Sequence, residues 1–132
     1  MYTDTMCTAK DQINSCATGF GFFLVEKQSG LDGLDGILGF SPAVAGNGPS
    51  YVSTLFANGT IPEEVVAFNL NLATASGGAA SSIQIGGTDS TLYKGNWATA
   101  AIVSTHKTWW TTSLTAVGIG ANILPPSDLG SV

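Results

Sequence analysis

At 132 residues the chain is long enough for about one domain with a modest core, and its 44% hydrophobic and 10% charged content excludes a disordered tail or a coiled coil. Nine acidic residues against four scattered lysines and no arginine give a net charge of −5. That balance argues against nucleic acid, because phosphate binding needs clustered Lys and Arg. No stretch approaches the ~20 apolar residues of a membrane span.

The N-terminal MYTDTMCTAK is polar and has no signal-peptide core, so the targeting segment of a secreted form is expected outside this chain. Cys7 and Cys16 enclose the polar segment TAKDQINS. A bridge closing a hairpin-like loop is the expectation, with two reduced buried thiols as the alternative. Phe20 to Val25 is a short apolar run bounded by glycine and by a polar turn. In PSYVSTLFANG, Tyr51 pairs with Leu55 and Val52 with Phe56 at i,i+4. That stripe predicts one short helix over 49–58, with Pro49 at its first position and Gly59 just past its end. Val66, Phe68, Leu70 and Leu72 alternate with smaller or polar residues, as do Ile83 and Ile85 ahead of Gly86-Gly87. This is the period of strands with one buried face. WATAAIV (97–103) and TWWTTSLTAVGI (108–119) are rich in Thr, Val and Trp and read as extended. The fold class expected is mostly β with one short helix.

The stretch SGLDGLDGILGFSP (29–42) sets Asp32 and Asp35 three residues apart, each followed by glycine. A calcium loop of the helix-loop-helix type needs oxygen ligands at alternate positions ahead of its glycine, and Gly33 and Leu34 stand there instead. The lone histidine, His106, is far from both cysteines, so no zinc set forms. There is no Gly-x-Ser-x-Gly nucleophile elbow, no phosphate loop and no His-Glu-x-x-His. Neither metal nor cofactor is expected. Asn58-Gly59-Thr60 is a glycosylation acceptor triplet.

LDGILGFSP resembles the turn F/L-D-G-I-L-G-L-x-x-P of the pepsin-like aspartic proteases. YVSTLFANGTIPEEVVAFNLN is similar to the family's helix, glycine turn and following strand. SSIQIGGTDSTLYKGN resembles its strand, Gly-Gly-x-Asp turn and Tyr-x-Gly step. The apolar strand 97–103 follows, and then the Trp-Trp-x-x-x-Leu-x-x-Val pattern beginning at Trp109. Four motifs in family order cover roughly residues 19 to 120. Thr112 departs from the family's usual aliphatic residue, and Asp32-Gly33 from its bulkier subsite residues.

The resemblance implies part of a bilobal acid protease fold. Residues 1–96 would be the later part of the N-terminal lobe, 97–105 the inter-lobe sheet strand and 106–132 the start of the C-terminal lobe. The family's catalytic carboxylates lie in two Asp-Thr/Ser-Gly motifs, and no such motif occurs here, so no catalytic residue is assigned in this chain. Asp35, Gly36 and Gly39 match the structural turn, where a carboxylate can accept backbone N–H bonds. Asp32 reads as a solvated turn residue. By the same match Leu34 and Ile37 would line apolar substrate pockets, with plain core packing as the alternative, and Trp109 would sit near the primed side. Trp110 is expected in the core, because Trp usually fills interior volume. The implied partners are a peptide or protein substrate and the remaining parts of the same lobes, in an extracellular or lysosomal/vacuolar setting. The runner-up is a non-catalytic pepsin-like peptide- or protein-binding protein, and behind it a secreted β-rich adhesion domain.

Overall fold

A computed structural model describes residues 1–10, 15–31, 33–42, 48–71, 80–103, 105 and 109–124. Asp32, Leu72 and His106 lie outside the described residues. The chain divides into two compact units, Met1–Asn96 and Trp97–Val132.

The first unit opens with an antiparallel hairpin of β1 (Tyr2–Cys7) and β2 (Cys16–Phe22). Tyr2 to Asp4 pair with Phe22 to Phe20, but Met6 pairs with Ala17. Thr18 and Gly19 therefore face the single residue Thr5, a bulge that twists the hairpin. Cys7 sits opposite Cys16 with their Cα atoms 4.0 Å apart, and the two are joined by a disulfide. Thr8 N–H donates to Ser15 O at 3.1 Å on the next pair, which makes the cysteines a narrow, non-hydrogen-bonded pair suited to a cross-strand bridge.

The helix α1 spans Tyr51–Ala57, shorter at both ends than the sequence pattern implies. Ser50 is its N-cap: the side-chain oxygen accepts from Ser53 N–H at 3.1 Å. Pro49 therefore precedes the cap rather than opening the first turn. The far end is a Schellman closure, with Thr60 N–H donating to Leu55 O and Gly59 N–H to Phe56 O, each at 2.9 Å. Gly59 has φ +68°, the left-handed setting that this closure requires.

The i,i+4 stripe lays Tyr51, Val52 and Leu55 against Ala17 of β2, and Ile61 completes the buried set. Met6, Phe20, Leu38, Phe40, Val66 and Ile85 pack around it. The Phe20 and Tyr51 rings meet edge to face at 5.6 Å. Tyr51 keeps its hydroxyl satisfied by donating to Ser15 O, at the base of the disulfide loop. The helix is thus tied to the hairpin by both its apolar face and its phenol.

β3 (Val66–Asn69) pairs antiparallel with β4 (Ser82–Ile85), joining Val66 to Ile85 and Phe68 to Ile83. Just past β4, Gly86 has φ +89°, and a Cβ there would lie 2.7 Å from Ile61 Cβ. Backbone conformation and packing both demand glycine at this position.

Among its described residues the second unit holds one regular hairpin, β5 (Val117–Ile119) with β6 (Asn122–Leu124). Of the two stretches expected to be extended, 97–103 forms no strand, and 108–119 forms one only at its end, in β5, with Thr108 outside the described residues. Val103 N–H donates to Thr111 O at 2.9 Å and links the two stretches. Apolar, β-prone sequence needs a full ladder of partners to become a strand. Trp110 is 62% exposed, so it does not fill a core as its size suggested.

Candidate functional site

The Leu-Asp-Gly stretch enters through a turn fixed by its own backbone and by Gln28. Leu31 N–H donates to Gln28 Oε1 at 3.0 Å, and Leu34 N–H donates to Leu31 O at 3.1 Å. The Asp35 carboxylate takes part in neither bond and is exposed at a bend. Gly36 and Gly39 have open space around their Cα atoms.

Beyond the bend the side chains alternate. Leu38 and Phe40 are half-buried against the core, and Phe40 meets Phe68 of β3 edge to face at 6.0 Å. Ile37 and Gly39 fall on the opposite side of this extended stretch. Ile37 is accordingly 74% exposed, and Leu34 is 59% exposed one turn earlier. Neither belongs to the core. Ile37 is thus held at the surface by a segment whose alternate residues are anchored beneath it, and Leu34 by the turn that bonds its N–H to Leu31 O. In the second unit Trp109 is likewise open, at 66% exposure.

The Asp of the Gly-Gly-x-Asp turn, Asp89, builds a polar device. Its carboxylate accepts from Thr91 Oγ1 at 2.6 Å and from Thr91 N–H at 2.8 Å, capping a single 3-10 turn, Ser90–Leu92. Asp89 N–H in turn donates to Gln84 Oε1 of β4 at 2.9 Å. The Thr91 hydroxyl and then the Thr91 amide hold the Asp89 carboxyl below its ordinary pKa, outweighing a small opposing effect of burial. The Asp-x-Thr spacing after Gly86-Gly87 was the signal for this cap. Asp89 is a structural acid in this setting, because both donors are already engaged in folding the turn. Asn58 is exposed at the C-cap of α1, and its Nδ2 donates to Thr18 O in the hairpin bulge at 3.2 Å.

No solved structure matches the chain. A curated relative, polyporopepsin of Irpex lacteus, is 31% identical over 114 residues, covering 79% of this chain and 32% of the relative. The chain therefore spans about a third of the length of the curated relative it matches. The family model described as Eukaryotic aspartyl protease matches residues 7–128, nearly the whole length and all four sequence motifs. With the exposed turn, the helix and the Gly-Gly-x-Asp step in the order that family requires, the chain belongs to the eukaryotic aspartyl proteases.

Proposed function

We propose that these 132 residues are part of an aspartic endopeptidase that hydrolyses peptide bonds in proteins, and that they supply binding surface rather than the catalytic pair. The carrying observation is the family match over residues 7–128 in a chain with no Asp-Thr/Ser-Gly motif. In such an enzyme two carboxylates share one proton and activate a water against the scissile carbonyl. Like charges at that distance cannot both ionise, which separates their pKa values and gives an acid optimum.

Leu34 and Ile37 are assigned to apolar substrate pockets next to the scissile bond, and Trp109 to the primed side. The exposure of all three, and the anchoring of Leu38 and Phe40 on the side opposite Ile37, support this reading. Asp35, Gly36 and Gly39 shape the turn that carries the first two. Residues 1–96 are assigned to the N-terminal lobe, 97–105 to the inter-lobe sheet and 106–132 to the start of the C-terminal lobe. Extracellular or vacuolar routing fits the disulfide and the acidic, arginine-free composition. No helix among the described residues is long and apolar enough to cross a membrane.

The test compares two chains on haemoglobin and casein across acid pH. The 132-residue chain alone is expected to show no cleavage. The same chain continued through its flanking sequence to two Asp-Thr/Ser-Gly motifs is expected to show pepstatin-sensitive cleavage. Pepstatin-sensitive activity in the short chain would overturn the assignment of both carboxylates to other residues. A flanking sequence lacking either Asp would move the protein to the non-catalytic peptide-binding class.

A further inference from the structure

We infer that Asn58 carries an N-linked glycan, attached beside the hairpin bulge at the end of α1. Three independent features converge on this site. Asn58-Gly59-Thr60 is the one Asn-x-Ser/Thr triplet in the 132 residues. Asn58 and Gly59 are both exposed, because the Schellman closure turns the chain outward at this point. The Cys7–Cys16 disulfide marks an oxidising compartment, and the secretory route that forms such bridges is also where asparagine is glycosylated.

The amide is held in a way that tolerates the modification. A carboxamide nitrogen has two hydrogens, and only one is needed for the bond from Asn58 Nδ2 to Thr18 O. Transfer replaces the other. The donor is a lipid-pyrophosphate-linked oligosaccharide supplied by the host's transferase. The bond between sugar C1 and the phosphate oxygen breaks and its electron pair leaves on the pyrophosphate. The bond between C1 and Nδ2 forms, and the displaced amide proton ends on the released pyrophosphate or solvent.

The folded triplet is a poor acceptor, since Thr60 is half-buried and its N–H is spent on Leu55 O. Transfer therefore precedes closure of the helix end, on the emerging chain. The finished glycan then stands next to Phe56, which is exposed, and covers apolar surface with a hydrated group. None of this depends on peptidase activity, so it stands or falls separately from the proposed function.

The test is expression of the full chain behind a secretion leader in a glycosylating eukaryotic cell. Protease-protected, lumenal material is collected and read by electrophoretic mobility and mass. One glycan is expected, removed by peptide N-glycosidase, which leaves an aspartate at position 58. N58Q and T60A should each abolish the shift completely, and T60S should retain it in part. T60A keeps the Asn58 amide and its bond to Thr18, so loss in both variants assigns the acceptor and not a folding defect. A lumenal chain with Cys7–Cys16 oxidised and no glycan overturns the inference, and so does a shift that survives N58Q.

Discussion

Both units of the chain carry large apolar side chains, and among the described residues only the first buries any. In residues 1–96, Ala17, Tyr51, Val52, Leu55 and Ile61 form a closed set, with Tyr51 and Leu55 each 1% exposed. In the second unit Trp97, Trp109, Trp110, Ile119 and Ile123 are all more than half exposed. The difference is one of layers. A helix capped at both ends lies across a hairpin whose strands are covalently joined, so two amphipathic elements shield each other. The described part of the second unit offers one three-residue hairpin and no helix laid across it, so its tryptophans stay more than half exposed.

The comparison breaks first at Leu55. Leu55→Ala removes a fully buried side chain and should cost about 2–5 kcal/mol. Trp109→Ala removes a larger but exposed one and should change stability by less than about 0.5 kcal/mol. Urea unfolding followed by far-ultraviolet circular dichroism, or exchange protection of the α1 amides, measures both. Intrinsic tryptophan emission is blind to this contrast, because all three tryptophans lie beyond residue 96. Equal losses at the two positions would erase the distinction between the units.

The disulfide comes next. Replacing both Cys7 and Cys16 by Ser frees a loop with a sequence separation of 9 and should cost about 2–3 kcal/mol by the same measurement. No loss would mean that the hairpin is held by the Tyr51 face alone.

Two glycines sharpen the picture at the next level down. Gly59→Ala forces alanine into a left-handed setting with open space around it, for about 1 kcal/mol. Gly86→Ala adds a collision with the branched, inflexible Cβ of Ile61, and should cost about 2 kcal/mol or more. A reversed order would show that the contact between Ile61 and the turn after β4 is loose.

The smallest effect is at Asp89. A carboxylate with a depressed folded pKa stabilises the native state while ionised, and that contribution disappears as pH falls through the folded value. The loss therefore lies below the ordinary carboxylate range, and it is slight because the group is exposed. An NMR titration of the Asp89 carboxyl should show a midpoint lower than in a peptide, moving up in Thr91→Val. An unchanged midpoint in that variant would remove Thr91 as the cause.

Much of the first unit was legible in the sequence because its signals are local. The i,i+4 stripe of Tyr51, Val52, Leu55 and Phe56 gave the helix, Gly59 its end, and the alternation around Val66 and Ile83 the paired strands. The cysteine spacing pointed to the hairpin, although β1 itself was read only as a polar terminus. Its pattern, Thr and Tyr with Met6 directed inward, was there to be read. Ser50 was passed over as a cap because Pro49 offered a competing start. What failed was tertiary. Nothing local distinguishes the stretch from Trp97 to Val103, whose β propensity is high, from a strand that has found its partners. Trp110 was misplaced for the same reason. At the candidate site, the exposure of Ile37 follows from its neighbours Leu38 and Phe40 packing against the cluster around Tyr51 and Leu55, a contact between segments distant in the chain. The bond from Asn58 to Thr18 spans 40 residues and leaves no trace in either segment.

The bridge between Cys7 and Cys16 has one more consequence. Lys10 is exposed inside the loop that it closes, so a trypsin-like protease cutting there would add one water to the mass without releasing a fragment. The segment ahead of the cut would stay tethered at Cys7, at high effective concentration beside its own partner strand. β1 could then remain docked on β2 although the polypeptide between them was cut. Only a reductant would let the piece diffuse away, making survival in a protease-rich compartment a matter of redox state as much as of folding.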